Sequence, residues 1–405
     1  MSIVLLLIIY LIFISLGLPD SLIGASWPAL SQSLEISESM QGVLTLIIAF
    51  CTVISSFLTI KLVKYLRVKG VVILSILLTA LGLVCISYSP SFLYLCLSAI
   101  PLGLGAGAID STLNNYVALH YKAIHLNWLH AFWGVGAMIS PLIVGVFLTD
   151  LNGWRKGALC LAIIQFSICL VTILTSPIWS LAQKDFDKRK PIEQEKESTV
   201  TLGFFKSFTI KGVMFAIVAF FSYIAIEQLC GLWFSSMVVF NLGVKESDAA
   251  NWVSLFYLGI MIGRFVSGIV SLKVKDKNMI RIGEGILVVG IILMMFYFYI
   301  PILPVGLFLV GLGCAPIYPA IIHATPDRFT KELSQNVMSI QVGCAYIANI
   351  SIAPLFGIIG KATTFLSLPY LLLFFLVILT IGNEIVLVKT KDKTKLLKTK
   401  QKEIN

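Results

Sequence analysis

The chain has 405 residues, 58% hydrophobic and only 12% charged, with a formal net charge of +10 and a mean hydropathy of +0.96. Soluble domains carry about 25% charged residues, so a water-soluble globular fold is excluded. The basic excess does not point to nucleic acid, because no aromatic residues are interleaved with the lysines of the C-terminal tail.

A helix needs ~20 mostly apolar residues to cross a bilayer, and the sequence predicts twelve such spans. They lie at 4–30, 39–60, 71–89, 92–118, 130–149, 156–179, 212–240, 249–272, 281–300, 304–325, 335–359 and 369–388. The first has no basic residue before it and no small-residue cleavage pattern after it, so it reads as a span rather than a cleavable leader. Asp20, Gly24 and Trp27 share one of its faces. Trp27 reads either as a stacking surface for a ring of the solute or as an anchor at the outer membrane interface.

The fourth span holds Gly103-Leu-Gly-Ala-Gly-Ala-Ile-Asp110-Ser-Thr-Leu-Asn114-Asn115. A carboxylate at bilayer depth costs at least ~2.5–3.5 kcal/mol and marks a solute or ion path by default. The bland alternative is a helix–helix hydrogen bond. Asn114, one turn on, and Asn115 offer donors and acceptors for hydroxyl groups or for neighbouring helices. In the fifth span His130 and Trp133 lie one turn apart, near the end predicted to be cytosolic. His130 is either a proton shuttle or a structural residue.

The stretch 180–211 carries Lys-Arg-Lys-Pro and Glu-Gln-Glu-Lys-Glu and reads as a charged cytosolic linker. It divides the chain into a first half, 1–179, and a second half, 212–390, followed by a basic tail, 391–405. Glu227 and Gln228 place a carboxylate and an amide in the seventh span. Arg264 in the eighth requires an acid or carbonyl partner, and Glu284 and Asp327 are the candidates for a structural or gating ion pair. Spans nine and ten are split at Pro301 and Pro304; Tyr318 and Gln341 are polar candidates in spans ten and eleven.

With both termini inside, all but five of the 30 basic residues fall on the inner side or in the linker and tail; the exceptions are Arg155, Lys156, Lys245, Lys361 and Arg264. The positive-inside rule therefore predicts a multi-pass cell-membrane protein with cytoplasmic termini, its lysine tail near anionic headgroups. The eight cysteines show no Cys-x-x-Cys spacing, and the four histidines show no metal-ligand spacing. No metal, cofactor or catalytic constellation is read, and the chain is not read as an enzyme.

The halves repeat. Gly103–Asp110 aligns with Gly311–Tyr318 at an offset of 208, Asn127 and Gly134 with Asn336 and Gly343 at 209, and Asp20–Gly24 with Glu227–Gly231 at 207. Parallel six-helix repeats around a midplane site are the organisation of major facilitator transporters, and the expected fold is all-α with twelve transmembrane helices in two such repeats. Spans 1, 4, 7 and 10 would line the cavity, presenting Asp20, Asp110, Glu227 and Tyr318.

The run from Gly105 through Asp110, Asn114 and Asn115, followed by Leu126-Asn127-Trp-Leu-His130-Ala-Phe132-Trp133-Gly-Val-Gly136, resembles the fucose–galactose–glucose:proton symporter family within that superfamily. The resemblance implies that Asp110 couples proton and sugar movement. The helix 1 acid of that family aligns with Ser21, one place from Asp20. At His130 the fucose permease pattern has an amide. The superfamily's Asp-Arg before Gly is absent from Lys61-Leu-Val-Lys-Tyr-Leu-Arg-Val-Lys69.

The sequence thus predicts a secondary transporter that takes up a monosaccharide with H⁺ by alternating access. Asp110, Asp20 and Glu227 are its proton-coupling candidates. Asn114, Asn115, Trp27, Gln228, His130, Trp133, Tyr318 and Gln341 are its substrate contacts. A proton-coupled drug or small-metabolite antiporter is the alternative, and a non-transporting membrane sensor a third class.

Overall fold

The computed structural model describes residues 2–121, 123–188, 208–329 and 331–404, and among these there is no strand. The helices are α1 (Ser2–Ser33), α2 (Met40–Ser87), α3 (Phe92–His120), α4 (Ala123–Phe147), α5 (Gly153–Leu174) and α6 (Ser176–Lys188), then α7 (Val213–Leu242), α8 (Glu246–Val270), α9 (Asp276–Met295), α10 (Leu303–Phe329), α11 (Lys331–Ala362) and α12 (Leu368–Ile404). All but α6 are long and apolar enough to cross a membrane. Several contain proline, which bundles in lipid tolerate because neighbouring groups re-satisfy the freed carbonyls.

Helix α2 has 48 residues and would reach ~72 Å if straight, more than twice a ~30 Å hydrocarbon core. It is two spans. The backbone reverses at Arg67, with φ 59° and ψ 168°, and the glycines of α3 touch both arms: Gly103 lies against Ile48 and Gly105 against Ser75. The described residues therefore make twelve crossings. The predicted break between spans nine and ten is present as a 3₁₀ turn at Ile300–Ile302. The fifth span begins seven residues earlier than predicted, at Ala123, because the polar residues His125 and Asn127 lowered the apolar signal of a stretch that is nonetheless helical. The predicted sixth span is divided at Thr175 into α5 and α6. Most of the predicted linker, residues 189–207, lies outside the described residues.

The sequence repeat is a packing repeat. Gly103 meets the second span of its half at Ile48, and its counterpart Gly311 meets the second span of the other half at Phe256. Gly105 and Gly313 each face the third span, at Ser75 and Gly283; Gly82 touches Leu102 as Gly290 touches Val310, both residues shifted by 208. Small residues permit this backbone approach, and van der Waals packing is what drives helix association in lipid. Across the halves, Gly24 abuts its own repeat partner Gly231. Gly42 lies on Pro354, and the residues 209 further from Gly42 and 209 back from Pro354, Asn251 and Gly145, also touch. A pseudo-twofold axis thus runs between α1 and α7.

Closure is unequal at the two ends. At the end away from the termini, one apolar cluster joins both halves through Leu18–Leu30 of α1, Ala137–Leu148 of α4 and most of α7. Toward the termini, the first half has its own cluster of α1, α3 and α6 residues, and the second half another around Val213, Phe329 and Val386. Fully buried Gln41 latches the closed end: its Nε2 donates to the Leu232 carbonyl (2.6 Å) and its Oε1 accepts from Ser236 (3.4 Å). Ser235 donates to the Ala25 carbonyl beside it (3.3 Å). Leaving a buried group unpaired costs ~1–3 kcal/mol, so Gln41→Ala is expected to raise opening of this end by about tenfold. Impermeant maleimide labelling of buried Cys230, with the other cysteines replaced, measures it; an unchanged rate would show that Gln41 is not a latch.

Candidate functional site

Between the halves lies a cavity of about 340 Å³, at the small end of the size range for small-molecule sites. Its walls come from both repeats. Asp20 of α1, Asp110 of α3, His130 and Trp133 of α4, Glu227 and Gln228 of α7, Arg264 of α8 and Tyr318 of α10 all line it. The repeat-related acids Asp20 and Glu227 therefore share one cavity, although 207 residues separate them in the chain.

Each carboxylate has a different partner. Trp133 Nε1 donates to Asp20 Oδ2 at 2.7 Å. Asn114 Nδ2 donates to Asp110 Oδ1 at 2.8 Å and to the Asp110 carbonyl at 3.0 Å. The Tyr223 hydroxyl donates to Glu227 Oε2, and Arg264 Nη2 stands 3.6 Å from Glu227 Oε1. Arg264 also donates to the His130 carbonyl (3.2 Å) and lies 5.1 Å over the Trp133 ring. Its side chain and that of Glu227 are 11% and 14% exposed.

The partner of Arg264 is Glu227, not Glu284 or Asp327. Helices α7 and α8 form a hairpin, and counting from its turn places Glu227 and Arg264 at similar depth. Glu284 accepts instead from Asn383 (3.0 Å), and Asp327 is exposed near the end of α10. His130 and Trp133 are two to three turns into α4 on the cavity wall, not near a helix end.

Four expected contacts fall elsewhere. Trp27 is fully buried, its Nε1 donating to the Glu38 carbonyl (2.8 Å), so it is neither a cavity wall nor an interfacial anchor. Asn114 supports Asp110 from one turn along α3 and does not line the cavity; Asn115 is exposed on another face. Gln341 is buried and accepts from Thr325 (3.1 Å).

Five polar wall residues escaped the sequence reading: Thr45 and Thr52 of α2, Tyr257 of α8, and Tyr346 and Asn349 of α11. Helical spacing could have found them. Thr45 and Thr52 are seven apart, as are Tyr257 and Arg264, while Tyr346 and Asn349 are three apart, and such pairs share a face. No cluster of metal-ligating side chains is present among the described residues. The site combines ionisable carboxylates, neutral hydrogen-bonding groups and aromatic rings, a set able to bind a polyhydroxylated solute and a proton.

The sequence matches the Major Facilitator Superfamily over residues 9–298 and 231–404. The chain belongs to the major facilitator superfamily. It is 24% identical to the glucose/mannose transporter GlcP of Bacillus subtilis over 95% of both chains. Among solved structures it is similar to a D-xylose–proton symporter, with a TM-score of 0.71, 14% identity and coverage of 94% of this chain and 96% of that one. It is also similar to the Escherichia coli fucose:proton symporter, with a TM-score of 0.60, 13% identity and coverage of 95% and 98%. These structural likenesses carry the fold, and the superfamily makes the chain a multi-pass membrane transporter.

Proposed function

We propose that this transporter takes up a monosaccharide together with a proton, by rocking its two halves around the central cavity. The observation that carries the reading is the cavity itself: three carboxylates and one arginine meet neutral amides, hydroxyls and aromatic rings from both repeats. Likeness to a glucose/mannose transporter along almost the whole chain agrees with it.

In this reading Asp110 carries the coupling proton. It stands on the cavity wall in α3, and Asn114 steadies its charged form between proton loads. Asp20 and Glu227 bind from the two halves, so the solute touches both and favours the occluded arrangement. Gln228, Tyr318 and Asn349 supply donors and acceptors for hydroxyl groups. The basic residues support cytoplasmic termini in a cell-membrane protein, and on that orientation the end sealed by the shared apolar cluster and the Gln41 contacts faces outside.

A panel of sugars added to energy-depleted cells or vesicles, with external pH recorded, tests the proposal. One hexose or a close relative is expected to produce an alkaline jump that a protonophore removes. Labelled sugar entering with no pH change would refute proton coupling, and silence across the panel with resistance to a cationic drug would move the assignment to an antiporter.

A further inference from the structure

We propose that Trp133 is a positioning residue that links the protonation state of Asp20, in the first half, to the Arg264–Glu227 pair in the second. The inference rests on the proton-coupled reading above and adds a residue that transmits the charge.

The geometry is a chain of contacts crossing the bundle. The indole edge of Trp133 donates to Asp20 Oδ2 at 2.7 Å, and its ring carries the Arg264 guanidinium at 5.1 Å. Arg264 is held a second time on α4 by the His130 carbonyl, one turn before Trp133. Its remaining charged contact, with Glu227 Oε1, is loose at 3.6 Å. Both contacts of Trp133 depend on one ring orientation, so the indole cannot turn away from Asp20 without disturbing the surface on which Arg264 rests. Tyr257 meets the same ring edge-on at 6.0 Å and limits its freedom to tilt.

Charge gives the chain its switch. A bond from an indole N–H to an ionised carboxylate is roughly twice as strong as one to a neutral acceptor. Protonating Asp20 therefore loosens Trp133, and the arginine platform with it. The other titratable or charged groups around the cavity are Asp110 from α3, His130 from α4, Glu227 from α7, Arg264 and Tyr257 from α8, Tyr318 from α10 and Tyr346 from α11. Of these, only Arg264 and Tyr257 also contact the Trp133 ring among the described ring and cation contacts. This account gives the indole a task other than stacking on sugar: one edge and a face are already engaged by protein groups.

Trp133→Phe keeps a ring face for Arg264 and deletes the N–H. The purified protein, without sugar, is titrated with acid while tryptophan emission is recorded. The wild type is expected to show a pH-dependent component that disappears in both Trp133→Phe and Asp20→Asn. In transport, Trp133→Phe is expected to move the pH of half-maximal uptake upward by about one unit, the size of one hydrogen bond to a charged group. Its counterflow KM should rise less than threefold. A tenfold rise in KM with an unmoved pH profile would make Trp133 a sugar contact and overturn the proposal. Should Trp133→Phe fail to insert, persistence of the emission component in Asp20→Asn overturns it equally. Because the emission experiment uses no substrate, its failure is distinct from failure to find a transported sugar.

Discussion

Asp110→Asn is expected to abolish concentrative uptake while leaving exchange of substrate across the membrane. The amide keeps the size of the carboxyl and still faces Asn114, which donates at 2.8 Å to the native Oδ1. What it loses is the capacity to gain and release a proton. A carrier fixed in the neutral state can still alternate, so labelled substrate should exchange at a rate within about tenfold of wild type, since the hydrogen-bonded frame is kept. Accumulation should fall to the equilibrium ratio, leaving only the pH dependence that Asp20 imposes through Trp133. Counterflow and protonophore-sensitive accumulation, measured in the same vesicles, separate the two. If the variant still concentrates substrate in a protonophore-sensitive way, coupling resides at Asp20 or Glu227.

The second large effect is expected at the ion pair between α7 and α8. Removing one member of a buried pair leaves an uncompensated charge and typically costs ~3–5 kcal/mol. Arg264 and Glu227 border the cavity and are 11% and 14% exposed, which puts them near the lower end of that range. Arg264→Gln should therefore lower the thermal midpoint clearly and abolish transport, because it also vacates the His130 carbonyl and the Trp133 ring. Glu227→Gln should destabilise less, since Tyr223 can still donate to the amide oxygen. The double variant Glu227→Gln/Arg264→Gln removes both charges and should melt above the Arg264→Gln single variant. Additive losses in detergent melting curves would show that the two side chains do not act as a pair.

Much of the architecture was legible in the sequence, for a physical reason. A bilayer forces each crossing to be a long apolar helix, so length and hydropathy nearly suffice. The repeat was visible because its residues are constrained by backbone contact: Gly103 and Gly311, or Gly105 and Gly313, occupy places where a side chain would strike a neighbouring helix. The three cavity acids stood out because carboxylates are costly at that depth. Pairings were less legible. The partner of Arg264 depends on depth within a hairpin, and counting along α7 and α8 from their turn would have selected Glu227 over Glu284. Trp27 was misjudged because its type suits an interface, whereas the link to the Glu38 carbonyl that buries it is a loop contact. Tyr346 and Asn349 carry no charge to draw notice, although their helical spacing marks a common face.

The unequal closure of the two ends has a consequence for affinity. Opening the end away from the termini must expose part of an apolar cluster shared by both halves and break the Gln41 contacts, whereas the opposite end is already divided into separate clusters. An empty carrier with this packing rests with its site presented toward the termini. Solute arriving from the other face meets a minority form, and its apparent dissociation constant is multiplied by the reciprocal of that form's population. One binding site thus shows two apparent affinities, weaker from the face that must be unlatched, and any change that loosens the latch tightens uptake from that face without touching a single solute contact.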